Sequence, residues 1–218
     1  MKNLIAILLT MVMILSLMAG CTGGNTGNTQ PSTTPTQEST QATTQPTEAT
    51  TAPTEAVVLG TANTSSAQLL AKIWAQFGEG ERFASYGGTV EHSAEDAPGD
   101  LDMTNTDELT NKYLLPQAQL ESVESGASLV HYMNSNIFTA AAFKLREGAD
   151  VRSVAKALRD NIQKTHWLCG RPDHLLVAEV DGHLVMAFAA KENMDVFRAK
   201  MNKVYTGASI LYDEAVTA

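Results

Sequence analysis

One cysteine and two histidines lie close together in the chain and could carry chemistry. Cys169 follows His166 by three residues and precedes His174 by five. A neighbouring histidine lowers the pKa of a thiol, and the resulting thiolate attacks electrophiles or exchanges with disulfides. The spacing therefore allows a thiol enzyme or redox protein that uses Cys169 with His166 or His174.

Two other interpretations of Cys169 compete with the reactive thiol. Free cysteines are among the most buried residue types and often pack as small, inert side chains. Cys169 could instead ligate a metal with His166 and His174, although the pattern His-x-x-Cys-x4-His does not match a standard zinc site. A single cysteine lacks the resolving partner that disulfide chemistry needs, so a buried structural cysteine is the favoured interpretation.

An acidic stretch without any lysine or arginine runs between Arg82 and Lys112. Its clustered oxygen-bearing side chains are Asp100, Asp102, Asn105, Asp107 and Glu108. Extracellular modules often bind calcium with such residues, but the glycine required at the sixth position of an EF-hand loop is replaced by Asn105. The alternative is a solvated loop in which Asp107 and Glu108 complement the N-terminus of a helix.

Other catalytic signatures are missing from the sequence. It contains no Gly-x-Ser-x-Gly, P-loop or dinucleotide-binding motif, and Gly87-Gly88 is too short for a phosphate loop. The histidines His92, His131 and His183 are scattered, although His174 and His183 could face each other across a hairpin. No cofactor is predicted. The formal net charge of −9 argues against nonspecific binding of nucleic acid.

The N-terminal segment predicts where the protein is located. Lys2 precedes an apolar run over residues 4–17, and small residues lead from there into Cys21. This pattern is typical of a secretory signal peptide. The order Met18-Ala19-Gly20-Cys21 resembles the lipobox of bacterial lipoproteins. That resemblance implies a signal peptide over residues 1–20 and a diacylglyceryl group on Cys21, which anchors the protein at the extracytoplasmic face of the cell membrane.

Residues 21–56 are predicted to be the lipidated cysteine and a disordered tether. Residues 22–56 contain 13 threonines and 4 prolines but no aromatic residue, so they cannot bury enough apolar surface to fold. Such a segment spaces a folded domain from the lipid surface. The remaining residues 57–218 are predicted to form a single globular domain.

Periodicity and capping residues predict the elements of this domain. Helices are expected over 65–77 and 107–113, after the N-cap Asp150, and after the N-cap Asn193; strands are expected over 86–90, 129–132, 136–145, 174–180, 183–189 and 208–212, with Asp181-Gly182 as a type I′ turn. From residue 136 the order is β-α-β-β-α-β. This order predicts an α+β, ferredoxin-like antiparallel sheet with both helices on one face, preceded by an N-terminal helical elaboration.

Two stretches, His131–Thr139 and Trp167–Asp173, resemble an uncharacterised family of small lipoproteins from low-GC Gram-positive bacteria. Some of its members carry the provisional label bacteriocin transport accessory protein. The thioredoxin-like activity in that label would need Cys-x-x-Cys, whereas this domain has one cysteine. The resemblance implies a location at the Gram-positive cell surface and transfers no site residues.

These observations favour a non-catalytic, cell-surface lipoprotein whose tethered domain binds a partner protein, an envelope component or a small solute. Its predicted partners are the membrane, through the anchor at Cys21, and an unknown envelope protein or small ligand. The alternatives are an envelope thiol enzyme that uses Cys169 and a calcium-stabilised surface module with ligands at Asp100, Asp102 and Asp107.

Overall fold

Four α-helices and eight strands make up the part of the chain that the structure describes. This computed structural model describes residues 62, 64–133, 137–168 and 170–217. In chain order the elements are α1 (Ser66–Trp74), β1 (Ser85–Gly88), β2 (Ser93–Glu95), β3 (Gly99–Asp100), α2 (Thr106–Asn111), a 3-10 helix (Gln117–Ser122), β4 (Val123–His131), β5 (Phe138–Leu145), α3 (Val151–Lys164), β6 (His174–Val180), β7 (His183–Ala189), α4 (Lys191–Val204) and β8 (Ser209–Ala215).

The predicted signal peptide and tether, residues 1–56, lie outside the described residues, and so does the lipidation site Cys21. The described residues belong to one compact unit, Thr51–Ala218. Among them, no helix combines the length and the apolar character needed to cross a membrane.

Local capping signals set the helix starts. Ser65 accepts a hydrogen bond from the backbone N–H of Gln68, and the Gln68 side chain accepts one in return, as the predicted capping box requires. Asp150 caps α3 as predicted. The predicted N-cap Asn193 is wrong, because α4 begins two residues earlier, at Lys191. The Asp173 carboxylate accepts a hydrogen bond from the Lys191 N–H at 3.3 Å and supplies the cap from outside the helix.

The hairpin of β6 and β7 has the predicted bounds and turn. Asp181 and Gly182 both have positive φ, 45° and 76°, as a type I′ turn needs. The register pairs His174 with Ala189 at the open end, whereas His183 lies next to the turn. The prediction that the two histidines face each other is therefore wrong, because an antiparallel hairpin pairs residues equidistant from its turn.

All eight strands form one antiparallel sheet in the order β2-β1-β4-β5-β7-β6-β8, and β3 also pairs with β4. The fold is α+β, and the element order from β5 onward is the predicted one. The ferredoxin-like strand order is not confirmed, since that order would pair the last strand of the motif with the first. Here β4 occupies that edge of β5, and β8 pairs with β6 instead.

The helices α3 and α4 lie on opposite faces of the sheet, so the prediction that both cover one face is wrong. The apolar stripe of α3 packs against one core cluster, and α1 and α4 share the other. The handedness of the two crossovers explains why the helices lie on opposite faces. The crossovers β5-α3-β6 and β7-α4-β8 step across the sheet in the same direction, but β7 runs opposite to β5. Right-handed crossovers of that kind place their helices on opposite faces.

Candidate functional site

The structure does not bring the histidines of the predicted thiol site together. Cys169 lies outside the described residues. His166 is exposed in the loop after α3, beside Trp167, which packs into the core on the α3 face. His174 lies on the α4 face, where its Nε2 is 2.7 Å from Oδ1 of Asp213. The two histidines thus belong to different surroundings.

His174 is hydrogen-bonded into a polar network that joins β6, β8 and α4. Arg198 of α4 contacts both Asp213 and Asp195, the latter at 2.7 Å. Partial burial alone would raise the pKa of Asp213, but hydrogen bonds from Arg198 and His174 outweigh that effect and lower it. The network fixes the outermost strand β8 to its neighbours, which is a structural role.

The acidic stretch satisfies its own backbone. Asp102 accepts two hydrogen bonds from Thr104, at 2.7 and 2.8 Å, and Asn105 is the N-cap of α2. Asp100 and Asp107 are exposed on β3 and in the first turn of α2. Among the described residues, no group of three or more His, Cys, Asp or Glu side chains is placed to hold a metal ion. This geometry fits the alternative interpretation of a solvated loop whose side chains cap and complement the N-terminus of α2.

Two clefts share a wall at the end of the sheet where β4 finishes and β5 begins. The first, here called the arginine cleft, has a volume of about 360 Å³. Its principal lining residues are Glu81, Arg82, Phe83, His131, Arg171 and Asn193. The second, the tryptophan cleft, has a volume of about 310 Å³ and is lined mainly by Lys112, His131, Met133, His166, Trp167 and Phe188. His131 therefore belongs to both clefts.

His131 presents one available donor to these clefts. It is only 8% exposed, and its ring stacks on Phe83 with centroids 4.8 Å apart. Its Nδ1 accepts a hydrogen bond from the Met133 backbone N–H at 2.9 Å, which places the ring proton on Nε2. Burial lowers the pKa of His131, so the ring is neutral at pH 7. Nε2 has no hydrogen-bond partner among the described residues, and the residue lines both clefts.

Lys112 places an ammonium group, ion-paired with Glu108, at the tryptophan cleft. Its Nζ lies 4.9 Å from the ring centres of both Tyr86 and Tyr113 and 2.8 Å from Glu108. Burial disfavours the ammonium, but the Glu108 hydrogen bond and the tyrosines outweigh it and raise the pKa of Lys112. A permanently charged lysine cannot act as a general base, but it can hold an electronegative group.

Exposed apolar side chains border the tryptophan cleft. Of the five large hydrophobic side chains exposed in the described part of the chain, two lie here, in what we call the apolar rim: Met133 and Leu168. Val90 and Tyr132 are also exposed but line a separate depression. Leu168 is 95% exposed. Exposed apolar side chains beside a cleft are typical of binding surfaces, whereas isolated exposed apolar residues are normally scattered.

The described lining residues are suited to binding. They combine N–H donors and cationic side chains with aromatic walls. Of the two threonines in the lining, Thr165 donates its hydroxyl to the Asn161 carbonyl oxygen. Glu81 is the one acidic residue of the two clefts' described lining, and it is paired with Lys200 at 2.7 Å.

No protein-family model, curated protein or solved structure matches this chain. The clefts are therefore interpreted from their own residues. Sequence reasoning named His131 among the scattered histidines and as the start of the His131–Thr139 stretch that carries the family resemblance. It gave His131 no role, because the cleft lining converges from chain segments that are far apart.

Acidification is expected to destabilise the domain through two buried histidines. His183 is fully buried, and its Nδ1 donates to the Asp181 carbonyl oxygen at 3.0 Å. Burial lowers the pKa of His183 as it lowers that of His131, so the unfolded chain takes up protons first, below about pH 6.5. Stability should be constant above about pH 7 and fall as the pH drops below about 6.5.

Thermal melts of the wild type and of His183→Gln between pH 5 and 8 measure this expected loss of stability on acidification. We expect a smaller fall in Tm between pH 7.5 and 5.5 in the variant, whatever its Tm at pH 7.5. The acidic groups whose pKa values are lowered titrate below this window. An unchanged wild-type Tm across the window would contradict the prediction.

Proposed function

We propose that this protein is a non-catalytic lipoprotein of the cell surface whose globular domain binds a ligand at the two clefts around His131. The observation that carries the binding role is the meeting of both clefts at one buried, neutral histidine whose Nε2 has no hydrogen-bond partner in the described part of the chain. Binding sites typically combine apolar walls with a few well-placed polar groups. The aromatic walls, Lys112 and the apolar rim complete that combination.

The lipobox-like sequence before Cys21 supports a location at the extracytoplasmic face of the membrane. Two acyl chains on one residue anchor a protein stably, whereas one chain does so only marginally. A flexible chain of the tether's length has an average end-to-end distance of about 30–35 Å. This spacing would hold the clefts in the envelope, where an envelope component or small solute can reach them. The resemblance to small Gram-positive lipoproteins agrees with this role.

Tryptophan provides a direct test of ligand binding. The chain has two tryptophans: Trp167 lines a cleft, and Trp74 is buried in the core on the α4 face. The full-length lipoprotein, labelled with 5-fluorotryptophan in detergent micelles, should give two fluorine NMR resonances, assigned with the Trp167→Phe variant. We expect small-molecule and soluble wall extracts of the producing cells to shift the Trp167 resonance and leave that of Trp74 in place.

The control variant His131→Phe keeps a planar ring against Phe83 but removes the Nε2 donor. We expect it to fold and to lose most of the Trp167 shift. If no extract moves the Trp167 resonance of the wild type, or if both resonances move together, the binding proposal is wrong.

A further inference from the structure

We infer that the tryptophan cleft binds a small uncharged molecule through a carbonyl oxygen, which accepts a hydrogen bond from Nε2–H of His131 while the apolar body of the molecule packs against Trp167 and Phe188. The inference rests on the proposed function and adds the chemical class of the ligand. Three features of the cleft support it: the charge balance of its lining, two buried polar groups without partners, and the apolar surfaces around them.

The described lining of the tryptophan cleft offers no free charge to an ionic ligand. It contains no aspartate, glutamate or arginine. Its one lysine, Lys112, already has a counter-ion, because Nζ lies 2.8 Å from the Glu108 carboxylate. His166 is exposed to water, which screens its ring. An ion that entered the cleft would lose hydration without gaining a partner, so the charge balance favours an uncharged molecule.

His131 presents a hydrogen-bond donor on a ring that is held in place. The residue is more than nine-tenths buried, and its ring stacks on Phe83 with centroids 4.8 Å apart. Nδ1 is occupied by the Met133 N–H, so the ring proton is on Nε2, which has no hydrogen-bond partner among the described residues. A donor that is buried without a partner costs free energy, and a ligand recovers that energy only if it brings an acceptor. A carbonyl oxygen is an acceptor that carries no charge.

A second buried polar group lies on the strands that line the cleft. Thr139 of β5 is more than nine-tenths buried and is paired across the sheet with Val130 of β4 and Phe188 of β7, which also line the cleft. Within the described part of the chain, the Thr139 hydroxyl has no hydrogen-bond partner, whereas that of Thr165 donates to the Asn161 carbonyl oxygen at 2.8 Å. A hydroxyl both donates and accepts, so Thr139 can meet either side of an amide.

Apolar surfaces surround these two polar groups and define the rest of the ligand. The rings of Trp167 and Phe188 have centroids 5.2 Å apart, and Val130 and Ile137 line the same cleft. The volume of about 310 Å³ is at the lower end of the range for ligand pockets, so the molecule is small. A flat apolar group packs well against aromatic rings. The ligand class is therefore an uncharged amide or ketone attached to such a group.

Benzamide, benzoate and protonated benzamidine test this assignment, because they share one shape and differ in charge. Titration calorimetry and the Trp167 fluorine resonance report binding to the full-length lipoprotein in detergent micelles, with the Trp74 resonance as the internal reference. We expect benzamide to bind and each ion to bind at least about tenfold more weakly, since an ion would be desolvated without a partner. Binding of either ion as tightly as benzamide would overturn the inference.

Three variants locate the site. We expect His131→Phe to weaken benzamide binding about tenfold and Thr139→Val to weaken it about threefold, because each variant removes one hydrogen-bonding group. Thr165→Val makes the same chemical change as Thr139→Val in the same lining, but its hydroxyl is already used within the protein. The affinity of this control should therefore change less than about twofold.

The inference is wrong if His131→Phe binds benzamide as the wild type does, or if the two threonine variants weaken binding equally. Thermal melts establish that each variant is folded. The comparison of Thr139→Val with Thr165→Val preserves the test if His131→Phe does not fold.

The failure of this inference differs from the failure of the proposed function. If extracts of producing cells move the Trp167 resonance but benzamide neither binds nor competes, the uncharged carbonyl class is wrong and the binding role stands. If neither the extracts nor benzamide bind, both are wrong.

Discussion

Replacing Gly87 by alanine is expected to lower the free energy of unfolding by about 2 kcal/mol or more. A Cβ atom at this position would lie 2.2 Å from the backbone nitrogen of Gly99, 2.3 Å from the carbonyl oxygen of Ser128 and 2.6 Å from the carbonyl carbon of Pro98. All three are backbone atoms, which cannot rotate out of the way as a side chain can. The methyl group must therefore push β1 away from β3 and β4.

That displacement would also break a buried polar network. The hydroxyl of Tyr113 donates to the carbonyl oxygen of Gly88 at 3.0 Å and lies 2.9 Å from the Ser128 hydroxyl, which in turn accepts a hydrogen bond from the Gly88 N–H. Tyr113 is fully buried, so a lost partner is not replaced by water. The cost of the clash and the cost of the unpaired groups act in the same direction.

Gly207→Ala is the matched control. A Cβ at Gly207 meets nothing within 4 Å, and its backbone is not in the left-handed region. The same chemical change should therefore alter stability by less than about 0.5 kcal/mol, or raise it slightly by restricting the unfolded chain. Urea denaturation of both variants measures the difference. Equal midpoints for Gly87→Ala and Gly207→Ala would contradict the close approach of β1 and β3.

The elements that sequence reasoning predicted well are those that local signals define. The capping box at Ser65, the N-cap Asp150 and the Asp181-Gly182 turn each depend on residues within a few positions of one another. Their hydrogen bonds and dihedral angles form without reference to the rest of the chain. The bounds of β6 and β7 followed from that turn.

The strand order and the faces of the helices depend on distant contacts. The predicted ferredoxin-like order is not confirmed, and the prediction that both helices cover one face is wrong. Sequence reasoning placed a strand only over residues 129–132, because the earlier half of β4 is rich in small and polar residues such as Ser125, Gly126 and Ser128. That half pairs with β3 and β5. Because β4 pairs with the edge of β5 that the ferredoxin-like order gives to β8, β8 pairs with β6 instead. The face of the sheet that α4 covers changes with the position of β8. Position 87 likewise has no local sequence signal for glycine, because the nearby backbone of β3 and β4 is what excludes a larger residue there.

The candidate site was beyond sequence reasoning for a similar reason. The arginine cleft draws on the loop after α1, the end of β4, the segment before β6 and the start of α4. No spacing rule links Arg82, His131 and Arg171, and the donor role of His131 depends on a backbone contact to Met133. The acid, base and metal motifs that a sequence can display are local, whereas this cleft is assembled by the sheet topology.

Replacing Cys21 by serine is expected to abolish incorporation of lipid into the protein. A thioether requires a sulfur atom, so serine cannot carry the predicted diacylglyceryl group. Each buried methylene contributes about 0.8 kcal/mol to membrane binding, and two acyl chains make the attachment stable. Because serine has no sulfur for the thioether, the loss of lipid labelling should be complete rather than graded. Cells grown with an alkyne analogue of palmitate, followed by fluorophore coupling and gel electrophoresis, provide the measurement.

Cys169→Ser is the matched control, because the chain contains only these two cysteines. If the label is attached at the lipobox-like position, the Cys169→Ser protein keeps full labelling while the Cys21→Ser protein has none. The reverse result would mean that an acyl group is carried by the domain itself. Mass spectrometry of the wild-type protein adds an independent criterion: a mature N-terminus at an unmodified Cys21 would remove the basis for the membrane anchor, while the two clefts would remain available to a secreted binding protein.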